Sequence, residues 1–139
     1  MMDAVRKSVT RTALVSGAIG VVLSPIPLAD ELVFVPIFGF MSAQIGKAHG
    51  LAFKDIPWKP IASTTLAALT ARAALNVAVS YIPGVAAVAN AISAFTVTQM
   101  LGRYVDAACA DPASAHPLSV REATERLKEA FALRRKQTA

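Results

Sequence analysis

The side chains that could perform catalysis are few and scattered in this sequence of 139 residues. Asp30 and Glu31 are adjacent carboxylates, a pair that could act as general acid and base. No histidine, cysteine or further acid stands beside them. Carboxylates are favourable in the first turn of a helix, where they meet the positive end of its dipole. We therefore interpret Asp30 and Glu31 as the start of a helix.

The remaining reactive residues are isolated from one another. His49 and His116 have no ligand-type neighbours, and we expect both at the surface. Cys109 is the single cysteine, which excludes an internal disulfide and a cysteine-based zinc site, so we expect it to be a packing residue. The G-x-x-x-x-G-K-[ST] phosphate loop does not occur in the sequence. The sequence predicts neither an enzyme nor a cofactor or metal.

The composition favours a membrane protein. Apolar residues make up 55% of the chain, charged residues 17%, and the mean hydropathy is +0.51. The formal net charge of +5 suits an anionic partner, either nucleic acid or a membrane surface. The basic residues are not interleaved with aromatic residues in a nucleic-acid-binding motif, so we expect no nucleic-acid partner.

A duplicated unit organises the chain. Ser24-Pro25-Ile26-Pro27 recurs as Ser80-Tyr81-Ile82-Pro83, and Ile45-Gly46-Lys47 recurs at the same spacing as Leu101-Gly102-Arg103. We interpret each unit as an apolar helix, a proline bend, a second apolar helix and a glycine followed by a base. Proline suits the bend because it lacks an N–H donor and restricts the preceding residue.

These features predict an all-α fold of two duplicated apolar hairpins followed by an amphipathic helix. The first apolar helix lies within the uncharged run 12–29, and the others are expected at about 28–49, 60–81 and 84–110. The stretch 27–46 would form about 30 Å of helix, which matches the hydrocarbon thickness of a bilayer. Ser119 and Glu122 form a capping box that begins the fifth helix.

Arg72 makes the third apolar helix the weakest candidate for a membrane span. An arginine near the middle of a span costs roughly 2.5–3.5 kcal/mol on insertion scales. Its side chain must therefore face other helices, a water-filled cavity, or Asp30 and Glu31. Alternatively, this helix is partly in water. Asn76, one turn later, adds a second polar side chain to the same helix.

The distribution of charge predicts a topology. If each apolar helix spans the bilayer, every lysine and arginine except Arg72 lies on the side of the chain ends. The bends carry only Asp30 and Glu31. This asymmetry follows the positive-inside rule and predicts that both termini are cytoplasmic. Trp58, between Lys54 and Lys59, is then either an interfacial anchor or a loop residue that fills the core.

Several of these segments resemble the YcjF-like family, a bacterial family of unknown function. The similar segments are S-P-I-P-L-A-D (24–30), I-G-K-A-H-G (45–50), T-A-R-A-A (70–74), I-P-G-V (82–85) and T-x-x-L-G-R-Y (98–104). Members are commonly predicted membrane proteins, and several are fused to or encoded with small GTPase domains. The resemblance implies a protein of the bacterial inner or internal membrane in which Asp30, Arg72 and Gly84 are pattern positions. It also implies a GTPase partner in trans.

The predicted organisation has three parts. Residues 1–110 form a membrane-embedded region with repeats at about 12–50 and 61–106, residues 111–118 are a linker, and residues 119–139 are a cytoplasmic basic helix. We expect a non-enzymatic integral membrane protein that self-associates as a scaffold or pore. The alternative is a soluble or peripheral helical module that binds a protein partner or an anionic membrane surface.

Overall fold

The computed structural model describes residues 2–22, 29–79 and 86–138, and these ranges form five α-helices. The helices are α1 (Met2–Val22), α2 (Ala29–Ala48), α3 (Trp58–Val79), α4 (Ala86–Ala110) and α5 (Val120–Thr138). Two short 3₁₀ turns, Phe53–Asp55 and Pro112–Ser114, lie in the connections. The all-α fold and the order of its helices are confirmed.

Helix α4 is the centre of the bundle because it contacts all four other helices. Its buried residues Val97, Leu101 and Val105 follow one another at four-residue intervals and form a continuous apolar stripe. Helix α1 packs mainly against α4, and α2 lies beside both of them. Helix α3 packs on α4 from the other side, and α5 covers α3 and α4. Among the described residues, α5 contacts neither α1 nor α2.

Helix α1 begins well before the uncharged run that predicted it. Val5, Val9 and Ala13 are buried at four-residue intervals, so the basic N-terminal segment is an amphipathic helix. Lys7 and Arg11 point away from this stripe and are exposed. The prediction started the helix at residue 12 because it followed the absence of charge rather than the spacing of the valines.

The glycines of the duplicated unit are sites of close approach. A Cβ atom built on Gly102 would lie 2.5 Å from both methyl groups of Val9, where α1 crosses α4. A Cβ atom on Gly46 would lie 2.5 Å from Cδ1 of Ile56 in the α2–α3 connection. Both distances are far below van der Waals contact, so these glycines allow the partner segment to pack directly on the helix backbone.

Helix α2 ends in a glycine cap. Gly50 has φ of 75°, and its N–H donates to the Lys47 carbonyl at 3.0 Å. The Leu51 N–H donates to the Gly46 carbonyl, also at 3.0 Å. These two bonds form a Schellman motif, which satisfies the last carbonyls of the helix.

Trp58 fills a gap in the bundle at the start of α3. Its Nε1–H donates to the Phe53 carbonyl at 2.7 Å, and the two rings lie 4.9 Å apart. The ring is half-buried and packs against the core, next to the buried Ile56. These contacts favour the second interpretation of Trp58, a loop residue that fills the core.

The predicted capping box at the start of α5 is confirmed. The Ser119 N–H donates to Glu122 Oε2 at 2.8 Å, and the Glu122 N–H donates to Ser119 Oγ at 3.2 Å. The bond from the Ser119 backbone, followed by the contact with its hydroxyl, lowers the pKa of Glu122 below its ordinary value. The carboxylate form of Glu122 is thus favoured by folding.

We expect Ser119→Ala to lower the free energy of unfolding by about 1 kcal/mol at neutral pH, because α5 loses its N-cap. Urea denaturation followed by circular dichroism measures this.

Because the pKa of Glu122 is lowered on folding, the stabilisation that its carboxylate contributes to the folded state is present above the ordinary carboxyl pKa. It disappears as the pH falls through the folded value. The stability difference between wild type and Glu122→Gln should therefore shrink at low pH; a difference that grows would contradict this account.

One helix in the described ranges is long and apolar enough to cross a membrane. It is α3 over Trp58–Ala78, with a window of mean hydropathy 1.2 of which 39% is buried in the bundle. The apolar part of α2, Leu32–Ala48, is shorter than a span. Four membrane helices were predicted, and α3 was ranked as the weakest of them. Arg72 did not disqualify α3 because its alanine, leucine and valine residues outweigh one charge.

Candidate functional site

Arg72 lies at the centre of the bundle with its side chain fully buried. Its Nε–H donates to Ser93 Oγ at 3.2 Å, and its Nη2 donates to the Asn90 carbonyl oxygen at 3.4 Å and to Asn90 Oδ1. The guanidinium carbon stands 4.8 Å from the centre of the Phe34 ring. Arg72 therefore joins α2, α3 and α4 through one planar group.

Asn76 and hydrogen bonds among the partners of Arg72 complete a polar network around this guanidinium. Asn76 Nδ2–H donates to Asn90 Oδ1 at 2.9 Å. The Ser93 hydroxyl lies 3.1 Å from Asn76 Oδ1 and 2.9 Å from the Asn90 carbonyl oxygen, and it can donate to one of them at a time. We call Arg72, Asn76, Asn90 and Ser93 the arginine network.

The arginine network offsets the cost of burying a cation. A charged group that leaves water loses several kcal/mol of hydration free energy. This loss destabilises the fold unless hydrogen bonds and other charges compensate for it. Bonds to an ionised donor are worth about 1.5–3 kcal/mol each, and a desolvated cation over an aromatic face about 2 kcal/mol. Of the predicted environments for Arg72, the described contacts support the one in which it faces other helices.

Helix α2 contacts the arginine network through Phe34. Phe34 lies on the buried face of α2, and Asp30 and Glu31 precede it by four and three positions. The helix starts at Ala29, which agrees with the interpretation of Asp30 and Glu31 as a helix start. Their side chains lie outside the described part of the structure, so their predicted approach to Arg72 stays a prediction.

The other predicted site residues are distributed along the chain. Pro25, Pro27, Pro83 and Gly84 lie outside the described residues. Gly46 and Gly102 are buried contacts of the fold, as described above. Arg103 is exposed on α4 and lines a surface cleft of about 520 Å³ between α4 and α5, together with Arg126 and Glu129.

His49 is not the isolated surface residue that the sequence predicted. Its Nε2 lies 2.6 Å from Asp106 Oδ1, and the histidine side chain is 11% exposed. The contact ties the C-terminal end of α2 to α4. The prediction was wrong because it considered neighbours along the sequence, whereas Asp106 comes from a different helix.

Cys109 is the packing residue that the sequence predicted. Its side chain is buried near the end of α4. Burial, and secondly the charge of Asp106, raise the pKa of the thiol to about 11. At neutral pH the sulfur therefore stays protonated, the form that is neither a nucleophile nor a metal ligand. In the described part of the chain no three His, Cys, Asp or Glu side chains are grouped to hold a metal ion.

A groove of about 730 Å³ runs along the outer side of the bundle between α1 and α2. Its polar half carries the basic side chains of Lys7 and Arg11, and Ser8 there donates a hydrogen bond to Gln44 Oε1 at 2.5 Å. Its other half is apolar and is lined by Val15, Pro36, Ile37 and Phe40. The groove thus combines two cations with an apolar floor.

Comparison with protein-family models, with curated proteins and with solved structures returned no match to this chain. The resemblance to the YcjF-like family therefore stays a prediction.

Sequence reasoning missed Ser93 and Phe34, and for Ser93 a signal was present. Asn76 follows Arg72 by four positions on α3, and Ser93 follows Asn90 by three on α4. Each pair occupies one helix face, so two polar faces in two apolar helices could have been matched. Phe34 carried no such signal because it is one of many apolar residues in α2.

Proposed function

We propose that this protein is a non-enzymatic helical module that binds an anionic membrane surface through α1 and α2. The surface in question comprises the exposed residues Lys7, Arg11, Leu14, Val15, Val33, Pro36 and Phe40, and we call it the α1–α2 flank. The observation that carries the proposal is the contrast between this flank and the opposite one, which α5 covers.

The α1–α2 flank exposes large apolar side chains in one region. Leu14 is 62% exposed, Val15 51% and Phe40 66%. Single exposed apolar residues are ordinary on protein surfaces, but contiguous ones mark an interaction site. Val15 and Phe40 line the same groove, and Leu14 and Val15 lie in the C-terminal half of α1.

The basic residues of the flank stand beside this apolar region. Lys7 and Arg11 occupy the outer face of α1, about two turns and one turn before Val15, respectively. An interfacial helix binds a membrane in this way, with apolar residues at the acyl boundary and cations at the phosphates. Each cation near an anionic surface contributes about 1 kcal/mol, and salt screens the attraction.

The opposite flank carries many charged side chains on the exposed side of α5. The Leu118 N–H donates to Thr64 Oγ1 at 2.9 Å, and further along Lys128 and Phe131 line a cavity with Leu75. Helix α5 therefore runs beside α3 in the same direction. Its exposed charged residues are Arg121, Glu122, Glu125, Arg126, Lys128, Glu129 and Lys136. Placing such a row in hydrocarbon is unfavourable, which supports binding on one flank over crossing by all four helices.

Vesicle flotation of matched leucine variants tests the proposal. We expect wild type to float with vesicles containing phosphatidylglycerol, to float less with phosphatidylcholine alone, and to be released by high salt. Leu14→Ser on the flank should weaken flotation severalfold, because it removes an inserted apolar side chain. Leu133→Ser on α5 should not, although Leu133 is equally exposed at 63%. Equal losses in the two variants, or no flotation of wild type, would overturn the proposal.

A second candidate is the integral membrane protein with four membrane helices in two hairpins, self-associating as a scaffold or pore with a GTPase partner. The span-like window in α3 favours it. This candidate requires α5 to leave α3 and α4, because its charged face would otherwise lie in lipid. Extraction of cell membranes separates the two candidates: sodium carbonate should release a flank-bound protein, whereas a protein that requires detergent and forms oligomers in it supports the second candidate.

A further inference from the structure

We infer that the groove between α1 and α2 is a binding site for a single anionic phospholipid. The phosphate would lie on Lys7 and Arg11, and an acyl chain would lie along Val15 and Phe40. This inference rests on the proposed membrane function and adds a defined stoichiometry and a defined headgroup site to it.

The polar half of the groove is suited to a phosphate group. Lys7 and Arg11 are four positions apart on α1, so their side chains project from neighbouring turns on one face. An arginine fork and a lysine ammonium can bind one phosphate together. None of the described residues that line the groove is acidic. The side-chain Oε1 of Gln44 already accepts from the Ser8 hydroxyl, which leaves the Nε2 N–H donors of this side chain for an anion.

The apolar half is suited to an acyl chain and to little else that carries a phosphate. Pro36, Ile37 and Phe40 form one wall and Val15 the other. This half follows the polar one along both helices, about 6 Å per four residues. The whole groove has a volume of about 730 Å³, which falls within the range of ligand pockets, about 300–1,000 Å³. Inorganic phosphate would leave this half unfilled, whereas a lipid fills both halves at once.

The direction of the groove also matches a bilayer. Its basic end lies towards the chain ends, and its apolar end lies towards the proline bends, where Val33 is exposed on α2. A lipid seated with its headgroup on Arg11 would therefore have its acyl chain directed towards the apolar end of the flank. Basic pockets between helices at the membrane surface bind lipid headgroups in this manner.

A soluble lipid separates this site from general membrane attraction. We would titrate the full chain with dihexanoyl-phosphatidylglycerol below its micelle concentration, following the Ser8 and Gln44 resonances by NMR. Dihexanoyl-phosphatidylcholine and inorganic phosphate are the comparison ligands. We expect saturable binding of one phosphatidylglycerol, at least about tenfold weaker binding of inorganic phosphate, and weak binding of phosphatidylcholine.

Paired charge variants supply the control. The double variant Lys7→Gln and Arg11→Gln should bind the phosphatidylglycerol about tenfold more weakly, or weaker still, because two charge-assisted contacts are lost. Arg6→Gln with Lys47→Gln removes the same net charge from exposed residues that do not line the groove, and should change the affinity less than about twofold. Equal losses in both double variants would overturn the site in favour of diffuse attraction.

Three other outcomes would also overturn it. Inorganic phosphate that binds as tightly as the lipid would indicate an anion site without a lipid. A concentration-dependent dimer that is lost in the Lys7→Gln and Arg11→Gln variant would mean that a second copy fills the groove. Wild type that floats with anionic vesicles but shows no saturable shift with the soluble lipid would leave the proposed function standing and remove this inference alone.

Discussion

Replacing Arg72 with methionine should lower the free energy of unfolding by about 2–4 kcal/mol, the largest effect that we expect of a single substitution in this chain. Methionine has a similar length and no polar atoms. The bonds from the guanidinium to Ser93 and Asn90 and its contact with the Phe34 ring are all lost. Asn76 and Asn90 can still bond one another, which is why the expected loss is smaller than the sum of the contacts.

Thermal and urea denaturation of the variant measure this effect. For a chain of this size, about 3 kcal/mol corresponds to a fall in Tm of roughly 10 °C. Arg103→Met is the matched control, because Arg103 is an exposed arginine on α4 and its loss should change the stability by less than about 0.5 kcal/mol. An Arg72→Met protein as stable as wild type would contradict the structural role and indicate that packing alone can replace the arginine network.

Arg72→Lys distinguishes the planar fork from the charge. A lysine ammonium cannot donate to Ser93 and Asn90 from two nitrogens of one plane, as Nε and Nη2 of arginine do. We therefore expect the lysine variant to be destabilised about as much as the methionine variant. Restoration of wild-type stability by lysine would mean that the charge, and not the geometry of the guanidinium, holds α3 to α4.

Gly102→Ala should destabilise the bundle by about 1–2 kcal/mol, although alanine is the better helix former by about 1 kcal/mol. The new Cβ would lie 2.5 Å from both Val9 methyl groups, and valine cannot move them far because its Cβ is branched. Helix α1 must shift away from α4, where most of its packing is. Gly39→Ala on α2 is the control, since nothing lies within 4 Å of its added Cβ. It should be neutral or stabilising.

A second substitution identifies the cause of the Gly102→Ala effect. Val9→Ala removes both clashing methyl groups, so it should destabilise wild type by about 1–2 kcal/mol but should cost much less in the Gly102→Ala background. Chemical denaturation of the four proteins gives the coupling energy between the two sites. Strictly additive effects would show that Val9 and Gly102 do not meet in the folded protein.

The sequence predicted the features of this fold that depend on near neighbours. The helices and the capping box of Ser119 and Glu122 follow from residue types within one or two turns. The burial of Arg72 inside a helical bundle was also among the predicted alternatives. It was indicated by one charge near the middle of an apolar segment, where only packing or water can accommodate it.

Features that depend on contacts between distant segments required the tertiary structure. The partners of Arg72, the contact of His49 with Asp106 and the approach of Val9 to Gly102 join residues from different helices. Helix propensity and apolar periodicity say which face of a helix is buried, but not which other helix it meets.

The position of α5 illustrates the same division. The sequence by itself determined that residues 119–139 form an amphipathic basic helix, because capping and apolar spacing are local properties. Only the tertiary structure decided that this helix covers α3 and α4 and leaves the α1–α2 flank open. The physical reason is that the buried apolar face of α5 can pack against any apolar surface of the right shape, and the choice among those surfaces is made by the whole bundle.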